Sequence, residues 1–329
     1  MQRRQFIILV GSAAAGWSPL AHAQQPMKRI GVLMAHLESD PEFQDYLGAF
    51  RDGLQKLGWT EGRNIRIDVQ WGALDDAEGR QQAAKELVAL QPDLIVTQNT
   101  PPTAAMLKQT TTIPVIFVIV ADPVGSGFVK SLPYPGGNAT GFTTMEPTIV
   151  SKWLELLKEI APRVTRAALL FNPATTPYAD IYVAPFKTAA PSFGLEATTA
   201  IVHHKAELET VIAAQAAQPN GGLVVMPDGF LNVHREDLVS LAARHRIPTV
   251  YPWRFFPEQG GLLSYGGEMR DEFRLAAAYA DRILKGEKPI NLPVQAPTKY
   301  ELVINLKAAK ALGLNVTQQF QQLADKIID

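Results

Sequence analysis

The chain has 329 residues, 47% of them hydrophobic, with 31 Lys and Arg against 32 Asp and Glu and no cysteine. That balance lacks the basic surface a nucleic-acid partner requires. The absence of thiols excludes disulfides, thiolate metal sites and a lipid anchor on an N-terminal cysteine.

Arg3 and Arg4 open the chain, residues 6–10 and 13–17 are apolar, and Ala21-His22-Ala23 has the small-x-small pattern that a signal peptidase cuts. The apolar part is shorter than the roughly 20 residues of a membrane span. Residues 1–23 are therefore expected to be an export leader, by a twin-arginine or an ordinary secretory route, with Gln24 first in the mature chain. Removing the two leader arginines leaves 29 basic against 32 acidic side chains, a net charge of about −3. No later run is long and apolar enough to enter a membrane, so a soluble periplasmic protein is expected.

From residue 29 the patterns alternate. A buried strand at 29–34 is followed by Ser39-Asp40-Pro41, a helix cap with proline at the first helical position. Phe43, Tyr46, Leu47, Phe50, Leu54 and Leu57 then recur at helical spacing up to Gly58. Strands are predicted at 64–71, 94–97, 114–120 and 139–143, and helices at 76–90, 101–109 and 123–131. The second half repeats the order, with helices at 150–160, 178–191, 206–217 and 235–244. Its strands are expected at 166–171, 195–202, 222–226, 249–251 and 261–265. A helix at 271–285, a proline-marked extended stretch, a strand at 301–305 and a short helix complete the chain. Such alternation predicts an α/β fold with two sheet domains of parallel strands covered on both faces. The late helix, linker and last strand fit a chain that crosses between the lobes three times, at 144–146, 265–267 and 289–297. One lobe would comprise 27–144 with 266–288, the other 145–265 with 289–329.

Ligands of open α/β sheets bind outside the carboxyl ends of the strands. In the first half those ends carry Ala35-His36-Leu37, Gln98-Asn99-Thr100 and Ala121-Asp122. Gly125-Ser126-Gly127 lacks the third glycine of a dinucleotide loop, since Lys130 stands there, and no Gly-Lys-Ser/Thr occurs. A phosphate cradle is not expected. Thr100-Pro101 and Asp122-Pro123 both read as helix caps, and a helix that starts at a strand end presents backbone N–H groups that attract a carboxylate. The second half carries Asn172, Tyr178, Asp228, Tyr251-Pro252-Trp253 and Tyr265 at the matching ends, read as a pocket wall. There is no His-Glu-x-x-His, Gly-x-Ser-x-Gly or cysteine nucleophile. His203-His204, His234 and His245 read as surface residues, and Asp75-Asp76 as a helix cap region. No catalytic residue, metal site or cofactor is expected.

The segments "ADPVGSGFVKSLPYPGGNATGF" and "LPVQAPTKYELVINLKAAKALGL", with the leader and "GGLLSYG", resemble the ABC-transporter substrate-binding proteins of the tryptophan/tyrosine type. The resemblance spans the whole chain. It implies the periplasmic-binding-protein type I fold: two doubly wound parallel-sheet lobes, three crossing segments and a cleft. It also implies capture of a small amino-acid-like ligand by lobe closure and delivery to the membrane permease of an ABC transporter, without catalysis. Carried over by position, the Asn99-Thr100 and Ala121-Asp122 loops hold the ligand's carboxylate and ammonium, and Asp228 and Tyr251 close on it. Where many relatives have Gly-Gly-Thr, this chain has Gln98-Asn99-Thr100. The expected ligand contacts are His36, Asn99, Thr100, Ala121, Asp122, Asn172, Tyr178, Asp228, Tyr251 and Tyr265. The alternatives are an exported α/β enzyme acting on a small metabolite, with His36, Asp122 and Asp228 as isolated acid/base candidates, and a ligand-binding sensor subunit.

Overall fold

The computed structural model describes residues 27–72 and 76–329. The expected leader and Asp75 lie outside the described residues. The first sheet is parallel, in the order β2-β1-β3-β4-β5. Its strands are β1 (Lys28–Met34), β2 (Ile65–Trp71), β3 (Leu94–Gln98), β4 (Val115–Val120) and β5 (Ala139–Thr143). Between the first four run α1 (Pro41–Lys56), α2 (Ala77–Ala89) and α3 (Thr100–Gln109). β4 reads Val-Ile-Phe-Val-Ile-Val and is buried throughout, as a strand covered on both faces must be.

The helix expected at 123–131 does not form. Ser126 N–H bonds the Asp122 carbonyl and Gly127 N–H the Val124 carbonyl, giving turns only. Gly127 at φ +73° ends the first turn in the left-handed region, where a helix cannot continue.

The second sheet has the order β12-β11-β10-β9-β8-β6-β7. Its strands are β6 (Arg166–Phe171), β7 (Glu196–Ile201), β8 (Gly221–Val225), β9 (Thr249–Tyr251), β10 (Leu263–Gly267), β11 (Tyr300–Asn305) and β12 (Lys326–Ile328). Helices α4 (Val150–Ile160), α5 (Ala179–Ala189), α6 (Leu208–Ala216), α7 (Gly229–Val233), α8 (Arg235–Arg244) and α9 (Phe255–Glu258) belong to this lobe. α10 (Met269–Leu284) returns to the first lobe. It lies so close to α1 that a Cβ on Gly53 would fall 2.6 Å from that of Ala277, and Asp281 accepts the Trp59 indole N–H at 2.9 Å.

The third crossing is later than expected. Thr140 donates its hydroxyl to the Leu292 carbonyl at 2.6 Å, Gln295 N–H bonds Gly141 at 3.0 Å, and Thr143 N–H bonds Gln295 at 2.8 Å. Residues 292–295 therefore stay on the edge of the first sheet, and the assignment of 289–329 as one piece to the second lobe is corrected. The extended, proline-marked run is used there as an added edge. The chain re-enters the second lobe at the end where β10 left it, so β11 pairs antiparallel with β10, the one antiparallel pair in an otherwise parallel sheet among the described residues.

Candidate ligand-binding site between the lobes

In the first lobe, β1 and β3 are neighbours, and Gln98 ties their ends together. Its Oε1 accepts the Ala35 N–H at 2.9 Å and lies 3.2 Å from His36 Nδ1. His36 is buried and stacks on Phe43 with ring centroids 3.3 Å apart. Burial lowers its pKa to about 3, so the ring is neutral at physiological pH.

Asn99, not Thr100, caps α3. Asn99 sits at φ +77° and its Oδ1 accepts the Thr100 N–H at 2.7 Å. The next two residues, Pro101 and Pro102, have no N–H, and Thr103 N–H bonds the Asn99 carbonyl at 3.2 Å. The first turn of α3 thus has no free donor, which corrects the expectation of a donor-rich helix start. The Thr100 hydroxyl accepts the Ala121 N–H at 3.1 Å, locking the ends of β3 and β4 together. Asp122, half-buried at φ +44°, turns its Oδ1 onto Gly125 N–H at 2.8 Å.

The end of β4 is shaped by a bulge. The register with β5 slips between Phe117 and Val120, Ile119 takes φ +56°, and Glu272 on α10 accepts the Ile119 N–H at 3.0 Å. Gly141 makes the bulge possible, since a Cβ there would lie 1.9 Å from the Phe117 carbonyl oxygen. Burial raises the Glu272 pKa to about 8.

In the second lobe the corresponding tie is Asp228, fully buried at the end of the neighbouring strand to β6. Asn172 N–H reaches Oδ2 at 2.7 Å, while the Thr175 hydroxyl and Phe230 N–H reach Oδ1 at 2.5 and 2.8 Å. Burial raises its pKa to about 6, against the pull of these donors. Asn172 spends its own amide on the His203 carbonyl and Ala174 N–H. Tyr178 donates its hydroxyl to the Pro227 carbonyl at 2.8 Å.

The other two tyrosines stand apart from this cluster. Tyr251 is buried, its ring stacked on Phe256 at 4.7 Å. Tyr265 stacks on Tyr300 at 5.7 Å, and its carbonyl accepts the Trp153 indole N–H at 2.7 Å. Tyr251 packs within the lobe and Tyr265 beside the crossings.

The two edges meet through an ion pair. Arg235, at the start of α8, bonds both oxygens of Asp40 at 2.7 and 2.9 Å, with side-chain exposures of 9% and 11%. It also bonds the Asn232 carbonyl at 3.0 Å and lies over the Phe255 ring. Beside this pair, His36 Nε2, Asn232 Oδ1 and Arg235 Nε are buried without a protein partner, as is Trp253 Nε1 in the segment after β9. The charges of Asp40 and Arg235 both act on His36. Trp253 also lines a cavity of about 310 Å³, with Glu42, Tyr46 and Arg254, where α1 faces the segment after β9. Buried polar atoms in proteins are nearly always paired, so orphans of both kinds at a junction between lobes make it the candidate site for a polar ligand.

Arg235, Asn232, Thr175 and Glu272 escaped the sequence reading, and Asp40 was legible only as a helix cap. One signal was available for Arg235: a cation at a helix N-terminus opposes the helix dipole, so its placement calls for another partner.

Residues 30–328 match the family model for ABC transporter substrate binding proteins. The chain is 28% identical over 288 residues to a tyrosine-binding protein of Clostridioides difficile, an alignment that covers 87% of this chain and 81% of that one. An ABC domain from Streptococcus pneumonia in complex with L-Trp superposes with a TM-score of 0.85 at 27% identity, over 92% of this chain and 100% of that one. The ligand-free, open structure of a Clostridium difficile substrate binding protein with adhesive properties gives 0.69 at 25% identity, over 92% and 99%. The architecture is that of the periplasmic-binding-protein type I fold.

Proposed function

The chain belongs to the family of ABC transporter substrate binding proteins, and from that premise we propose that it is exported to the periplasm, captures an aromatic L-amino acid between its lobes and presents it to a membrane permease. The observation that carries the ligand class is the mixture of orphans at the lobe junction. Arg235 Nε and Trp253 Nε1 are donors, and His36 Nε2 and Asn232 Oδ1 are acceptors, a set that complements a zwitterion bearing both carboxylate and ammonium. The ligands of the relatives, tyrosine and L-Trp, have that chemistry. Ligand capture by closure fits a two-lobed protein whose lobes already share a buried ion pair.

Catalysis is disfavoured by the state of the candidate groups. A general base must reach a proton of the substrate with a suitable pKa. Burial holds His36 far below the working range, and the Asp228 oxygens are taken up by loop donors.

The test is a thermal-shift screen of the protein against L-amino acids and aromatic acids, followed by calorimetry. A true ligand at a hundredfold its Kd stabilises the fold by about 2.7 kcal/mol. The expected result is a raised melting temperature with L-tryptophan or L-tyrosine, one-to-one binding, and intact ligand on recovery. No shift with either removes the ligand class, and chemical conversion of the ligand removes the receptor reading.

A further inference from the structure

We infer that His36 Nε2 is a fixed acceptor that reads a polar hydrogen, N–H or O–H, of the bound ligand. The inference rests on the proposed binding of an amino acid between the lobes. It follows from the order in which the hydrogen bonds are determined. Ala35 N–H is a backbone donor, so the Gln98 atom that meets it at 2.9 Å is the carbonyl oxygen and not the amide nitrogen. That oxygen only accepts. The His36 Nδ1 that lies 3.2 Å from it therefore carries the ring proton. A neutral imidazole has one N–H and one lone pair, which leaves the lone pair on Nε2.

Nε2 has no partner in the protein and the residue is 1% exposed. The stack on Phe43, with an interplanar angle of 10°, holds the plane of the ring, and a turn within that plane would forfeit the Nδ1–H bond to Gln98. Protonation is no remedy, since burial opposes the charged form. A buried acceptor with a fixed direction and no partner is satisfied only by a donor brought from outside the protein. A ligand carboxylate at this point would set two acceptors against each other. His36 therefore selects the orientation of an amino acid: its ammonium or its side-chain N–H or O–H faces β1, and the carboxylate lies elsewhere.

The experiment pairs His36→Phe with three probes: L-tryptophan, 1-methyl-L-tryptophan, which lacks the indole N–H, and indole-3-propionate, which lacks the ammonium. Phenylalanine keeps the stack and removes the acceptor, and a melting curve checks that the variant folds. Calorimetry is expected to show L-tryptophan weakened by about tenfold or more. The analogue that lacks the donor read by His36 should bind wild type and variant alike, which tells the indole source from the ammonium source. Binding of L-tryptophan by the variant within about twofold of wild type, or equal losses for both analogues in both proteins, overturns the inference. A second readout needs no ligand. Nitrogen-15 NMR of the imidazole should show the Nδ1–H tautomer and no titration between about pH 5 and 8; an Nε2–H tautomer overturns the inference. Failure of wild type to bind any probe counts against the proposed ligand class alone, and the tautomer then decides for or against His36.

Discussion

At the end of β3 a neutral amide, Gln98, gathers the Ala35 N–H and the His36 ring. Beyond the end of β8 a carboxylate, Asp228, gathers Asn172 N–H, Phe230 N–H and the Thr175 hydroxyl. Both are buried, and both hold loops from neighbouring strands in place. The neutral tie has two contacts, whereas the charged one gathers its three donors and the Leu231 N–H as well. Taking a charge out of water costs far more than burying an amide, and the cost is recovered only with several well-placed donors. Even so, the pKa of Asp228 is raised to about 6. The amide does not titrate. Each tie has its own consequence: Gln98 fixes the tautomer of a buried histidine, and Asp228 gives the opposite edge a carboxyl with a raised pKa.

The largest effect is expected from removing the charged tie. Asp228→Ala takes the buried acceptor from the loop N–H groups of Asn172, Phe230 and Leu231, and should lower the unfolding free energy by about 3–5 kcal/mol, read from urea unfolding at neutral pH. The variant also changes the pH profile. With a folded pKa of about 6 against 3.8 unfolded, the unfolded chain ionises first as the pH rises. Wild-type stability should therefore fall between pH 3.8 and about 6, by about 1.4 kcal/mol per pH unit from this group. Asp228→Ala should remove that slope. A loss below about 1 kcal/mol would mean that Asp228 does not organise this edge.

Breaking the neutral tie should cost less. Gln98→Met keeps the volume and removes the acceptor, so that Ala35 N–H is orphaned and His36 Nδ1 loses its partner. The expected loss is about 2–3 kcal/mol. The slope that belongs to Asp228 should persist, because no titrating group is removed and the Gln98 bond is one that raises the His36 pKa, so its loss leaves the ring neutral. A Gln98→Met variant whose pH profile flattens would contradict the division of labour between the two edges.

Much of this arrangement is legible in the sequence because it is local. Residues 150–160, 166–171, 235–244 and 249–251 form the predicted elements, each set by apolar spacing and clear breakers. The ends of β1, β3 and β8 can be located from the sequence pattern alone. Other features depend on what local pattern cannot carry. α7 has five residues, too few to show helical periodicity. Asp-Pro starts turns as well as helices, and at 122–123 it starts a turn. Asp40 and Arg235 are 195 positions apart, and nothing near either names the other. Tyr251 and Tyr265 were placed by strand end, which fixes how far along the sheet a residue sits but not what its ring packs on. The third crossing falls beyond Gln295 because the linker pairs with β5, a long-range contact.

The smallest change sharpens the contrast most. Thr175→Val removes one of the donors on Asp228 and keeps the shape of the side chain. The Thr175 hydroxyl bond at 2.5 Å lowers the Asp228 pKa, so its loss should move that pKa further up. The cost depends on the charge state of the partner. Where Asp228 is ionised, above about pH 6, a charge-assisted bond is lost, and the expected penalty is about 1–2 kcal/mol. Below pH 3.8 the carboxyl is protonated in both the folded and unfolded states, and the penalty should shrink to that of a neutral hydrogen bond. The difference between variant and wild type should therefore widen as the pH rises through the Asp228 transition, as measured by unfolding free energies at pH 4 and pH 8. A penalty equal at both would show that the hydroxyl acts on packing alone, and the charged tie would then be held by its backbone donors, Asn172, Phe230 and Leu231.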